Sequence, residues 1–324
     1  MAVKNTMATA EQIKSLIKSS FQDDKERLLT VALQVAAHEA RQGHVLLAHE
    51  IRSIVDSAKS SVKVIPFKQD LSDLVCLSKS RYTLSDLILS QELKIRLERV
   101  FEEYNHQDKL RSHGLENRRK ILLAGNPGTG KTMTAGVIAH TLHLPFYAIQ
   151  VDKLITKFMG ETSTKLRQIF EVIKNNKGVF LFDEFDAIGM DRGVENDVGE
   201  MKRVLNSFLQ FIEQDESNSI IVAATNNLQS LDQALFRRFD DTLLYRLPSA
   251  EEAAKLIDNR LGLYKGRMNV KKVISNFHNL SHAEITQACD DAIKICILSN
   301  SKKVSSSLLN TSLTERQSAY KSSV

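Results

Sequence analysis

Apolar residues near the start of the chain recur at helical spacing. Over residues 23–42 they fall at Leu28, Ala32, Val35, Ala36 and Ala40, and in the next stretch at Leu47, Ile51, Ile54, Val55 and Ala58. Both sets follow the i, i+3/i+4, i+7 rule of a helix with one buried face. Gly43 stands between them as a natural helix stop. Residues 1–62 are therefore expected to form a small antiparallel helical module, and residues 63–81, around Pro66, a linker.

From about residue 82 the pattern changes. Leu93, Leu97, Val100, Phe101 and Tyr104 mark a helix, and after it short apolar runs alternate with helical stretches. The runs lie at 120–124, 145–150, 178–182, 219–225 and 241–247. Strands alternating with helices predict a parallel sheet covered on both faces. After Pro248 the strands stop, and 250–317 reads as helices with a Ser/Lys-rich interruption at 299–307. The expected class is α/β: a large domain over 82–248, then a small helical domain with a tail over 249–324.

Composition narrows this only a little. A chain of 324 residues, 42% hydrophobic and 26% charged, can fill two or three ordinary cores. The net charge of +5 is mild and dispersed, which favours a solvated surface over a dedicated nucleic-acid stripe. The cysteines are Cys76, Cys289 and Cys296; their odd number and the lack of C-x-x-C suit a reducing compartment. Cys289 and Cys296, seven apart, are expected as small buried groups on one helix face. With no apolar run near 18 residues and no signal-peptide core in MAVKNTMATAEQ, a cytoplasmic location is expected and no membrane partner.

The chemistry begins where the run KILLA enters GNPGTGKT, Gly125 to Thr132. This is G-x-x-x-x-G-K-[ST] between a strand and an apolar-periodic helix, the setting that gives the motif its meaning. Glycines let backbone N–H groups turn toward phosphate oxygens, and the helix start adds partial positive charge. Lys131 is expected to neutralise the β- and γ-phosphates, and the Thr132 hydroxyl to ligate Mg²⁺. About 50 residues on, VFLFDE (179–184) buries four apolar residues and delivers two carboxylates at a strand end. Asp183 is expected at the metal and Glu184 at the attacking water. IIVAATN ends with Asn226, a polar group able to orient that water. In LDQALFRRFD (231–240), Arg237 and Arg238 are adjacent. A neighbouring subunit's phosphates would use such a pair, while the plainer alternative is an ion pair with Asp240 or Asp241.

In order and spacing these segments resemble the AAA branch of the AAA+ ATPases, over roughly residues 82–317. GNPGTGKT matches the Walker A loop and VFLFDEFDAIG the Walker B strand. AATNNLQSLDQALFRRFD is similar to the second region of homology, with Asn226 as sensor 1 and Arg237 and Arg238 as arginine fingers. SHAEITQACDDA (281–292) resembles the G-A-(D/E)-(I/L) segment of the small helical lid, and TLSDLILSQELKIRL (83–97) the entry segment that sandwiches adenine. The resemblance implies a P-loop NTPase fold with ATP held by Gly125, Asn126, Pro127, Gly128, Thr129, Gly130, Lys131, Thr132 and Met133, and by Ile88, Leu89, His282 and Ala283. His282 stands where the family usually has Gly, Leu89 where many members have Gly, and no sensor 2 arginine is evident.

KFMGETSTKLRQIF (157–170) resembles the first pore-loop segment, an aromatic–hydrophobic pair before Gly-Glu. The resemblance places Lys157, Phe158 and Met159 in a central channel gripping a threaded polypeptide. The loop at 190–199 reads equally as a second pore loop or as solvated surface. The expected activity is ATP hydrolysis that drives protein remodelling or unfolding by a homo-oligomeric ring, a hexamer by resemblance. The alternatives are a helper ATPase acting on nucleic acid or in mobile-element defence, and an ATP-switched scaffold. His38-Glu39 and His49-Glu50 have no second histidine at H-E-x-x-H spacing, so degradation would need a separate protease or effector chain. The N-terminal module is expected to recruit substrate or that partner; a three-helix module of the microtubule-interacting-and-trafficking type is one form it could take.

Overall fold

The computed structural model describes residues 14, 25–60, 69–157, 161–188, 195–227 and 236–321. The chain divides into two compact units, between Ile65 and Pro66. The first contains helices α1 (Lys25–Arg41) and α2 (Val45–Ser60), which pack together across the turn at Gly43, where φ is +91°. Val35, Ala36 and Val55 are buried, as the periodicity requires, and Val31 is buried beside them. Two positions depart from it. Leu47 is 39% exposed and its neighbour Ala48 is buried instead. Ala40 faces solvent while Glu39 is buried, its Oε2 lying 2.7 Å from Nδ1 of His44. A buried carboxylate needs such a partner, and hydrophobic spacing carries no sign of it.

The second unit holds a six-stranded sheet of order β1-β3-β4-β5-β2-β6. The strands are β1 (Val75–Ser78), β2 (Lys120–Gly125), β3 (Phe146–Ile149), β4 (Val179–Phe182), β5 (Ile220–Thr225) and β6 (Asp241–Tyr245). All neighbours are parallel except β1, which pairs antiparallel with β3, Val75 opposite Ile149. Strand β1 lies inside the stretch expected as linker. It is four residues long and Leu77 is half-exposed, so neither length nor alternation announces it.

Successive residues of the central strands feed two cores. Leu122, Phe180, Phe182, Ile221 and Ala223 pack with Leu154 of α7 (Val151–Lys157), Ile169 and Phe170 of α8 (Thr162–Asn175) and Phe208 of α9 (Glu195–Gln214). Ile121, Leu123, Leu181, Val222 and Leu243 pack with Leu97 and Phe101 of α4 (Gln91–Asn105) and Ile138 of α6 (Lys131–Thr141). Burial on both faces is why these strands read as continuous apolar runs. Two short helices, α3 (Gln69–Ser72) and α5 (Gln107–Ser112), complete this region.

Past β6 the chain is helical: α10 (Ala250–Leu261), α11 (Val270–Ile274), α12 (His282–Leu298) and α13 (Ser306–Lys321) surround their own core. Cys289 and Cys296 sit in that core on α12 as free thiols, and burial pushes the Cys289 thiol up to about 12. The polar interruption at 299–305 is the connection from α12 to α13. Among the described residues no helix is long and apolar enough to cross a membrane.

Gly125 ends β2 with φ +144°, and a Cβ there would stand 1.9 Å from the Tyr245 carbonyl oxygen on β6. Gly125→Ala is expected to lower stability by about 1–3 kcal/mol or more, through strained backbone and a forced β2–β6 separation. Thermal unfolding followed by circular dichroism measures this; an unchanged midpoint would show that β6 can yield.

Candidate functional site

The C-terminal ends of β2, β4 and β5 open on one side of the sheet and carry the expected chemical groups together. Beyond Gly125 the loop turns through Gly128 (φ +70°) and Gly130 (φ +99°) into α6. Lys131 is buried, and its Nζ donates to the carbonyl oxygens of Gly125 (2.7 Å) and Asn126 (2.8 Å). Burial lowers its pKa, while Asp183 and Asp186 oppose that shift. The Thr129 hydroxyl donates to the Asn126 carbonyl at 2.7 Å and so braces the loop from within.

The Thr132 hydroxyl, one residue into the helix, donates to Oδ2 of Asp183 at 2.6 Å. Two hard oxygen donors thus meet at one point, from the start of α6 and the end of β4. That donor set suits Mg²⁺, which takes one or two protein oxygens and fills its remaining positions with phosphate and water. Oδ1 of Asp183 accepts the Glu184 N–H at 3.0 Å. Glu184 has φ +51°, a left-handed conformation uncommon for a residue with a side chain, and its side chain is exposed. Asn226 is exposed just past β5, and its N–H reaches Asp186 Oδ1 at 3.4 Å. Glu184 and Asn226 therefore leave adjacent parallel strands on the phosphate-loop side.

The helical domain reaches this loop directly. The Ala283 N–H donates to the Gly128 carbonyl at 2.9 Å. A Cβ on Gly128 would come within 2.7 Å of Ser281 Oγ and 3.1 Å of the Ala283 Cβ, so only glycine admits the approach. Ser281 caps α12, in a reciprocal box with Glu284. His282, the first residue of α12, hydrogen-bonds to the backbone of Ile88, while its Nδ1 is buried with no partner among the described residues. Burial lowers the His282 pKa, with Glu252 and the hydrogen bond to Ile88 opposing. Ile88 and Leu89 are half-buried, and the Leu87 side chain lies 3.6 Å from where a Cβ of Gly130 would stand. Leu87 and Ser281 are wall residues that motif matching did not single out, since their role comes from a contact across the sequence.

Arg237 and Arg238 lie at the other end of the sheet, just before β6. Arg238 donates to Glu213 at 2.9 Å, near the end of α9, and Arg237 is exposed without an ion pair among the described residues. The expected alternative, pairing with Asp240 or Asp241, does not occur. Asp240 accepts backbone N–H groups of Arg119 and Lys120, and Asp241 is held by Arg96 and Arg118. Phe158 and Met159 lie outside the described residues; Lys157 is the last residue of α7. Of the loop at 190–199, residues 190–194 also lie outside them, and 195–199 belong to the first turns of α9.

Comparison with known proteins identifies the family. Residues 121–247, from β2 to just beyond β6, match the model of the ATPase family associated with various cellular activities (AAA). The chain is 31% identical to the AAA family ATPase y4kL of Sinorhizobium fredii over 315 residues, 95% of each chain. It is similar to the 26S proteasome regulatory subunit 8 homolog B of Arabidopsis thaliana, 31% identical over 243 residues that make up 71% of this chain and 58% of that protein. It is also similar to the ATP-dependent zinc metalloprotease FtsH of Bacillus subtilis, 30% identical over 251 residues, 75% of this chain and 39% of that protein. With a matching family model and a relative alike along nearly its whole length, the chain belongs to the AAA family of ATPases.

Proposed function

We propose that this ATPase works as a homo-oligomeric ring, a hexamer in the family's manner, that remodels or unfolds protein by drawing it through a central channel. The observation that carries the ring is the separation of two groups. Strand pairing sets Asp241 beside Ile121 and Tyr245 beside Gly125. Four strand residues, about 13 Å at ~3.3 Å each, therefore part the arginine pair from its own phosphate loop. An arginine side chain does not span that distance, so Arg237 and Arg238 serve the phosphates of another copy.

In this reading the loop N–H groups and Lys131 hold the phosphates of ATP, and Ile88, Leu89, His282 and Ala283 border the base and ribose. The unpartnered Nδ1 of His282 is a ready hydrogen-bonding atom on that border. Thr132 and Asp183 hold Mg²⁺, which supplies charge neutralisation at the phosphates. Glu184 takes the proton of the attacking water, and Asn226 orients it. Arg237 and Arg238 of the adjacent subunit stabilise charge on the transferring group. Phe158 and Met159 grip the substrate, with Lys157 beside them. The helical unit before Pro66 recruits the substrate or a protease or effector carried on another chain. Relatives named as a proteasome regulatory subunit and an ATP-dependent protease support a protein substrate. The mild, dispersed charge supports it too, since a channel for nucleic acid needs a basic groove.

Glu184→Gln is expected to slow ATP hydrolysis by about 10²–10⁴-fold while a fluorescent ATP analogue still binds. Light scattering of that variant with ATP and Mg²⁺ is expected to show a ring-sized particle; a monomer would remove the ring. Protein retained by the purified variant supports remodelling, and nucleic acid released by raised salt would redirect the assignment. Phe158→Ala is expected to keep near-parental ATPase activity and lose substrate unfolding, read with a fluorescent client. Unimpaired unfolding would rule Phe158 out as the grip.

A further inference from the structure

The arginine pair needs a fixed platform, because a group that stabilises a transition state loses much of its effect when displaced by about 1 Å. Residue 240 supplies a rigid attachment. Its Oδ2 accepts the N–H groups of both Arg119 and Lys120, each at 2.9 Å, and its own N–H donates to the Lys120 carbonyl at 2.8 Å. Three hydrogen bonds thus pin the end of the arginine loop to the first turn of the chain into β2. Phe239, next to it, is buried in the core.

The anchor is itself locked. The buried Arg119 guanidinium donates to both the carboxylate and the carbonyl of Asp215, which follows α9, and Ser217 donates to the same carboxylate. The Ile221 N–H donates to the Arg119 carbonyl at 2.7 Å. Among the described residues the Asp240 carboxylate bonds only amides and pairs with neither Arg237 nor Arg238. Arg237 has no ion pair among the described residues, and Arg238 rests on Glu213.

We propose that Asp240 is a positioning residue for hydrolysis in the neighbouring subunit: its carboxylate caps the start of β2 and so holds Arg237 and Arg238 where another copy can use them. This rests on the ring reading above. An asparagine at this position keeps an oxygen for the two amides, whereas alanine has none.

Asp240→Ala is expected to lower kcat about 100-fold with nucleotide affinity unchanged, and Asp240→Asn to restore most of it. The deciding measurement mixes subunits. Asp240→Ala has an intact nucleotide site and displaced arginines, and Glu184→Gln has the converse. Mixed in equal amounts, the two are expected to hydrolyse ATP several-fold faster than either alone. A second mixture, of the Arg237→Ala/Arg238→Ala double variant with Glu184→Gln, tests the ring reading in the same way. Rescue in both mixtures supports the proposal. Rescue in the second mixture alone overturns it, because Asp240 then serves only its own fold. Rescue in neither overturns action between subunits and the proposal with it. Weakened nucleotide binding by Asp240→Ala also overturns it, since the carboxylate would then act through its own phosphate loop.

Discussion

Strand β2 is held on both sides, by β5 and by β6, and the chemistry of the molecule hangs from its two ends. At one end Gly125 passes so close to the Tyr245 carbonyl that no side chain fits, and the chain turns at once into the phosphate loop. At the other, the amides of Arg119 and Lys120 hold Asp240. A parallel strand buried on both faces is among the least deformable elements a fold can offer. Groups fixed to its ends keep their distance from each other. A loop scaffold would let an arginine swing back toward its own phosphates; this one holds the two apart.

The second constraint is electrostatic. Lys131, Arg119 and Asp215 are all buried, and each would be costly without partners. The Arg119 guanidinium donates to both the carboxylate and the carbonyl of Asp215, and the Ser217 hydroxyl donates to the same carboxylate, which suits a fixed structural joint. Lys131 is held by two backbone carbonyls instead, which under the proposed function a phosphate would replace. Asp183 is held differently from Asp240, with the Thr132 hydroxyl on its Oδ2 and the Glu184 N–H on its Oδ1.

The sheet and the glycine-rich loop that follows β2 were legible because their signals are local. A buried parallel strand writes itself as a continuous apolar run, and a phosphate loop needs its glycines, lysine and threonine within eight residues. Asp183 and Glu184 were legible as a pair at a strand end, and the buried cysteines as a helix-face spacing. What escaped is long-range or short. Strand β1 has four residues and no alternation of buried and exposed positions. Asp240 looks like a partner for the arginines beside it, yet it binds amides 120 residues away. Glu39 sits inward because of His44, and hydrophobic spacing is blind to that. The contact of Ser281 with Gly128 joins two domains, so neither segment alone discloses it.

In the proposed mechanism Glu184 sets stability against chemistry at a single position. Its left-handed backbone costs about 1–3 kcal/mol that a glycine there would not bear. Selection for a robust fold alone would draw this position toward glycine or asparagine, and each such drift would remove the carboxylate. With Glu184 in its proposed role at the attacking water, the glutamate would persist in a conformation that disfavours it only while hydrolysis is under selection. A lineage that kept the nucleotide as a structural ligand and abandoned turnover would be expected to lose Glu184 early, with Lys131 and Thr132 still in place.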